Sequence, residues 1–152
     1  MVNIRKGTPE DTPALLALIQ ELADYEKAPH EVEVTAEILR EDGFGPDAIF
    51  EFFVAEEEGN ILGIALYYTK YSTWKGRCLY LEDIVVRQAH RRRGIGEKLF
   101  LAVKEAAARK GVKRMEWQVL EWNAPAITFY KKQKARFDAE WVNVKFTEED
   151  LK

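Results

Sequence analysis

The sequence predicts an α/β protein whose mixed β-sheet carries helices on its faces, and three patterns predict it. Leu15, Leu18, Ile19, Leu22 and Ala23 recur at helical spacing, which marks a core-facing helix near the start of the chain. From Ala48 the apolar period changes to two, with Phe50, Phe52 and Val54 on one side, and a Glu58-Gly59-Asn60 turn leads into a second apolar run. Beyond Cys78 strands alternate with helices, the arrangement that produces a parallel crossover in a sheet already begun as antiparallel strands.

The elements follow in order. Residues 2–6 form a short strand. Thr8-Pro9-Glu10-Asp11 then offers an N-cap, a proline at the first helical position and early acids against the helix dipole, so a helix runs over residues 9–25. A second short helix follows Thr35 through Ile38 and Leu39 and stops at Asp42-Gly43-Phe44-Gly45. The hairpin ends near Tyr68, a polar loop spans residues 71–77, and a third long strand covers residues 78–86. The helix opened by Gly94-Ile95-Gly96 continues through Leu99, Phe100, Val103 and Ala107 to Lys110-Gly111, where glycine after a basic residue suits a helix end. A strand over residues 114–120, a helix over 125–134 and an alternating strand around 141–146 complete a single expected domain, residues 1–152.

Composition excludes several classes of function. The chain has 152 residues, 47% hydrophobic and 32% charged, the balance of a soluble globular domain. No apolar run is long enough to cross a membrane, and the first residues lack a signal-peptide core, so the expected location is the cytoplasm, without membrane partners. A net charge of −3 disfavours nucleic acid. The single Cys78 forms no internal disulfide, and His30 and His90 stand apart from any ligand cluster, so no metal site and no serine–histidine triad are expected.

The informative stretch is Leu81-Glu82-Asp83-Ile84-Val85-Val86 followed by Arg91-Arg92-Arg93-Gly94-Ile95-Gly96. An apolar strand is broken by two acids, and a basic, glycine-spaced turn then opens a helix. Helix starts present unpaired N–H groups, and glycine lets a phosphate reach them. Taken alone, these residues fit an anion site and a tightly packed strand-to-helix turn equally well.

The order of elements, Arg91-x-x-Gly94-x-Gly96 and Asn123-x-Pro125 with Phe129-Tyr130 resemble the GNAT superfamily of N-acetyltransferases. Glu41-Asp42-Gly43-Phe44-Gly45, Tyr80-Leu81-Glu82-Asp83 and Glu121-Trp122-Asn123 extend the resemblance to the diamine (spermidine/spermine) and thialysine acetyltransferases over most of the chain. The resemblance implies a splayed mixed sheet and acetyl-CoA as cosubstrate. It implies that the turn Arg91, Arg92, Arg93, Gly94, Ile95, Gly96 and Glu97 holds the pyrophosphate, and that the backbone of Ile84, Val85 and Val86 pairs with the pantetheine arm. A strand N–H near Val85 or Val86 would stabilise the oxyanion. Asn123, Pro125, Ala126 and Tyr130 also meet the cofactor in this pattern, with Tyr130 as the acid for the leaving thiolate.

Glu82 has two readings. A strand carboxylate commonly points at solvent or at a lysine. An alkyl ammonium with a pKa of about 10.4 is only about one part in a thousand neutral near physiological pH, so its acetylation needs a base. Glu82 is the candidate, with Asp83 as its rival on the opposite side of the pleat. Tyr130 beside Phe129 reads equally as core packing, and Asn123 as a helix cap. The resemblance further implies amine recognition by Tyr25, Glu26, Ser72, Trp74, Glu82, Glu116, Trp117 and Gln118, and a homodimer. Ser72 stands where spermidine/spermine enzymes carry an acid, and residues 71–77 read like the thialysine branch, which disfavours long polyamines. Arg92 and Lys134 occupy places where the family usually has glycine. The expected activity is direct acetyl transfer to a primary amine of a small diamine, polyamine or thialysine-like molecule. Other acceptors (amino acid, aminoglycoside or protein) and a non-catalytic acetyl-CoA-binding module are the alternatives.

Overall fold

A computed structural model describes residues 1–152. They divide into two compact units, Met1–Trp117 and Gln118–Lys152. The first unit contains a five-stranded mixed sheet in sequence order: β1 (Asn3–Lys6), β2 (Glu51–Glu57), β3 (Asn60–Ser72), β4 (Gly76–Val86) and β5 (Met115–Glu116). The first four strands pair antiparallel, and β5 joins β4 in parallel.

α1 (Thr12–Tyr25) and α2 (Ala36–Phe44) cover one face. Leu15 and Leu18 of α1 and Leu39 of α2 close over Phe52, Val54, Ile64, Leu66 and Val85, so the predicted inward stripe of α1 and the period-two side of β2 meet in one core. α3 (Ile95–Arg109) packs on the opposite face, where Leu99 approaches Gly63 of β3. Thr8 opens the first helical segment as expected, with its N–H and hydroxyl both donating to Asp11. The first turn, Pro9–Asp11, is a 3₁₀ turn rather than part of the α-helix.

Three expectations are corrected. The loop over residues 71–77 is a tight turn, because β3 and β4 stay paired to Ser72 and Gly76 and the Ser72 hydroxyl accepts the N–H groups of Trp74 and Lys75. The strand expected over residues 114–120 is only Met115–Glu116. Its pairing ends at Tyr80, just before the residues at which the β3–β4 register shifts. The alternating segment 141–146 forms no strand: Trp141, Val142, Val144 and Phe146 are exposed, and alternation without a pairing partner does not sustain a strand.

The second unit contains α4 (Ala124–Lys132). Asn123 caps it, its Oδ1 accepting the Ala126 N–H at 3.3 Å, with Pro125 in the first turn. α4 ends in a Schellman motif: Ala135 N–H donates to the Tyr130 carbonyl and Lys134 N–H to that of Lys131. Lys134 sits at φ +63°, the left-handed conformation that its replacement of glycine implied. α1 ends the same way, with Lys27 at φ +63°, whereas α3 places Gly111 at this position.

Candidate active site

The register of β3 against β4 determines how the two acids are presented. Leu66 pairs with Asp83 and Tyr67 with Leu81, so Glu82 is an extra residue with no partner on β3. This bulge corrects the expectation that the pleat sends Glu82 and Asp83 to opposite sides. Both line one cleft of about 320 Å³. Its other walls are Ile19, Leu22 and Ala23 of α1, Glu26 just beyond the helix end, and the segment Glu31, Val32, Glu33 and Val34. Five carboxyl groups thus surround a surface of aliphatic side chains, a lining that suits an ammonium carried on a methylene chain.

The carboxyls are not equivalent. Asp83 is pushed up to about 7, first by burial and then by the charges of Glu82 and Glu26. Glu26 is also raised, by burial and then by Glu82. Tyr68 of β3 donates its hydroxyl to Glu82 Oε1 at 2.8 Å. Burial and this bond raise the phenol well above its ordinary value, so Tyr68 remains a donor and fixes one oxygen of Glu82. Tyr68, Glu31 and Glu33 were not singled out from sequence. The Glu31-Val32-Glu33-Val34 alternation was a visible signal, whereas the Tyr68 contact depends on the bulge.

β4 carries a second feature. β5 pairs with it only at Leu79 and Tyr80, so along Ile84, Val85 and Val86 the sheet offers no strand on that edge. The Val86 carbonyl accepts Arg91 Nε at 3.0 Å. The turn beyond it has Arg92 at φ +66° and Gly94 at φ +77°, and Lys98 N–H makes the first bond back to the Gly94 carbonyl. The N–H groups of Ile95, Gly96 and Glu97 therefore precede the first intrahelical bond and face outward along the dipole. Arg92 takes the conformation that the family's glycine supplies. Arg93 Nη2 donates to both carboxylate oxygens of Glu57, at 2.9 and 3.1 Å, and Nη1 lies 3.0 Å from His90 Nδ1.

The remaining candidates divide by location. Tyr25 lies at the end of α1, 5.4 Å beneath the Arg91 guanidinium. Glu116 is held by Lys70 at 3.0 Å and Arg114 at 2.8 Å, which override the effect of burial and leave its carboxyl below the ordinary value. Its charge is thus already balanced within the chain. Trp117 packs edge-on against Phe100 of α3. Ser72 shapes the hairpin turn and Trp74 is exposed beside it. Gln118, Asn123, Pro125, Ala126 and Tyr130 belong to the second unit, where Gln118 donates to Asn143 at 2.8 Å and Tyr130 is buried beside Phe129. No group of side chains suits a metal ion, and no helix is long and apolar enough to cross a membrane.

The fold is shared with solved acetyltransferases. An aminoglycoside acetyltransferase from an uncultured soil metagenomic sample superposes with a TM-score of 0.79 at 23% identity, covering 96% of this chain and 95% of the other. A ribosomal-protein-alanine N-acetyltransferase from Brucella melitensis does so with a TM-score of 0.75 at 18% identity, covering 97% and 100%. These two show the fold alone. The acetyltransferase (GNAT) family model matches residues 15–134. The thialysine N-epsilon-acetyltransferase of Mus musculus is 38% identical over 99% of this chain and 95% of its own length. That of Bos taurus is 42% identical over 86% and 81%. The human spermidine/spermine N(1)-acetyltransferase-like protein 1 is 34% identical over 98% of this chain and 23% of its own length. The chain belongs to the GNAT family and is an N-acetyltransferase.

Proposed function

We propose that this enzyme uses acetyl-CoA to acetylate directly a primary amine of a small diamine, polyamine or thialysine-like molecule. The observation that carries the reading is the cleft in which Glu26, Glu31, Glu33, Glu82 and Asp83 surround Ile19, Leu22, Ala23, Val32 and Val34. Carboxylates hold the ammonium groups and the aliphatic wall receives the carbon chain. The Ser72 turn and the thialysine-acetyltransferase relatives favour short or lysine-like acceptors over long polyamines.

The open edge of β4 and the helix start suit the cosubstrate, since pantetheine amides need main-chain partners and a pyrophosphate needs N–H donors. Acetyl-CoA supplies the thioester carbonyl that the amine attacks. Glu82, oriented by Tyr68, removes the ammonium proton directly or through water. A backbone N–H near Val85 or Val86 stabilises the charge developing on the carbonyl oxygen. Tyr130 donates to the departing thiolate, a role that rests on its match to the family motif. The family match runs across the junction at 117/118, which supports reading residues 1–152 as a single catalytic domain, and we take the active form to be a homodimer.

A thiol-release assay across a panel of amines, paired with calorimetric titration of CoA, tests the reading. Glu82→Gln is expected to lower kcat by about 10²- to 10⁴-fold while leaving the CoA Kd unchanged. Full turnover in that variant refutes the base assignment. Thiol release with no amine of the panel refutes the substrate class.

A further inference from the structure

The turn after β4 is tied to α1 through one carboxylate outside the acidic cleft. Glu21 Oε2 accepts the Gln88 backbone N–H at 3.0 Å and lies 3.7 Å from Arg91 Nη2. Arg91 in turn donates Nε to the Val86 carbonyl at 3.0 Å and stacks its guanidinium 5.4 Å from the Tyr25 ring centroid. Glu21 and Tyr25 are four residues apart on one helix, so they share a face and grip the arginine together. Gln88 begins the 3₁₀ turn Gln88–His90, and the preceding Arg87 provides no side-chain cap. Glu21, 67 residues away in sequence, supplies the missing acceptor.

The Arg91 and Glu21 side chains are 39% and 30% exposed, and ion pairs this wet add little to stability. Their placement is more telling. They join the helix whose Ile19, Leu22 and Ala23 line the cleft to the strand end and turn that lead into α3. We propose that Glu21 is a positioning residue for the acetyl donor: it fixes the turn Gln88–His90 and, through Arg91, the end of β4, so that the N–H groups of the α3 start and the edge of β4 are held in one arrangement. The Arg91 side chain is then an internal latch, and phosphate contact falls to the turn backbone and to Arg92. This inference rests on the acetyl-CoA reading above.

The test compares wild type, Glu21→Ala, Glu21→Gln, Arg91→Met and the double variant Glu21→Ala/Arg91→Met. CoA Kd is measured by calorimetry, KM separately for acetyl-CoA and for the amine, and the melting temperature is followed. Glu21→Ala is expected to weaken CoA binding about tenfold and raise KM for acetyl-CoA in step. KM for the amine should move less than about twofold, and the melting temperature by no more than about 3 °C. Glu21→Gln, which keeps an acceptor for Gln88 but loses the charge facing Arg91, should fall between. The double variant should bind CoA no more weakly than the worse single variant, because both act through one latch. Unchanged CoA affinity in Glu21→Ala, equal increases in both KM values, or strictly additive losses overturn the inference. A wild type that binds no CoA overturns the acetyl-CoA reading itself, a result distinct from any of these.

Discussion

Replacing Asp83 with asparagine removes the carboxyl that the bulge forces against Glu82 and Glu26, and its consequence can be worked out as a function of pH. Burial and those two charges raise Asp83 from the ordinary 3.8 to about 7. Between these values the folded chain retains a proton that the unfolded chain releases, so raising the pH through this window costs stability. The loss begins near the unfolded value and is complete above about 7. Each pH unit corresponds to about 1.36 kcal/mol, so from about pH 5 to about pH 7 the wild type forfeits on the order of 3 kcal/mol at this residue.

The asparagine side chain never ionises and escapes the penalty, whatever fixed cost its amide brings. Urea unfolding of both proteins at about pH 5 and pH 8 isolates the effect as a difference of differences. The stability of Asp83→Asn relative to wild type should improve by about 3 kcal/mol across that interval, or roughly 6–12 °C in melting temperature for a chain of this size. The same ionisation makes the cleft more anionic above pH 7. KM of the wild type for a cationic amine should therefore fall as pH rises through 7, a step that the variant lacks. Parallel stability curves for the two proteins would refute the placement of Asp83 among competing carboxylates.

Two further substitutions test separate parts of the structure. Tyr68→Phe deletes the 2.8 Å bond to Glu82 without changing the ring; kcat should drop about tenfold in steady-state assays with CoA affinity intact, and an unaltered kcat would remove Tyr68 from the site. Lys134→Gly places glycine at the left-handed end of α4, where relief of about 1–2 kcal/mol of backbone strain exceeds the added chain entropy of about 0.5–1 kcal/mol; calorimetry should show a melting temperature higher by a few degrees, and a decrease would contradict the capping geometry.

Much of the first unit was legible because its signals are local. Thr8, the stripe from Leu15 to Ala23, the Phe52 and Val54 side of β2 and the Gly111 helix end each act over a few residues, and each appears where its chemistry requires. The left-handed φ of Arg92 and Lys134 was legible for a different reason: a motif that reserves a place for glycine states a backbone conformation whatever residue occupies it. What escaped depends on pairing between distant segments. The truncation of β5, the bulge at Glu82 and the bond from Tyr68 all follow from how β4 meets two other strands, and period-two counting assumes a ladder with no extra residue. The segment 141–146 failed in the opposite sense, since its alternation was clear but no partner strand meets it.

The bulge also explains why two adjacent acids occur in an otherwise apolar strand. In a regular pleat one of Glu82 and Asp83 would face α3 and its apolar packing, where a carboxylate has no compensation. With one residue added, Leu81 takes the α3 side opposite Tyr67 and both acids turn toward α1. Burial, and then the repulsion between these neighbouring carboxyls, raises Asp83 and Glu26. An ammonium bound there, as proposed, would relieve that repulsion and so turn part of this cost into selectivity for cations. Glu82 differs from the rest of the cluster because Tyr68 holds one of its oxygens, and the proposed mechanism assigns the other to the amine. In the proposed reading, one inserted residue thus separates the proton acceptor from the carboxyls that would attract the substrate, on a strand whose far edge is unpaired where the donor would lie.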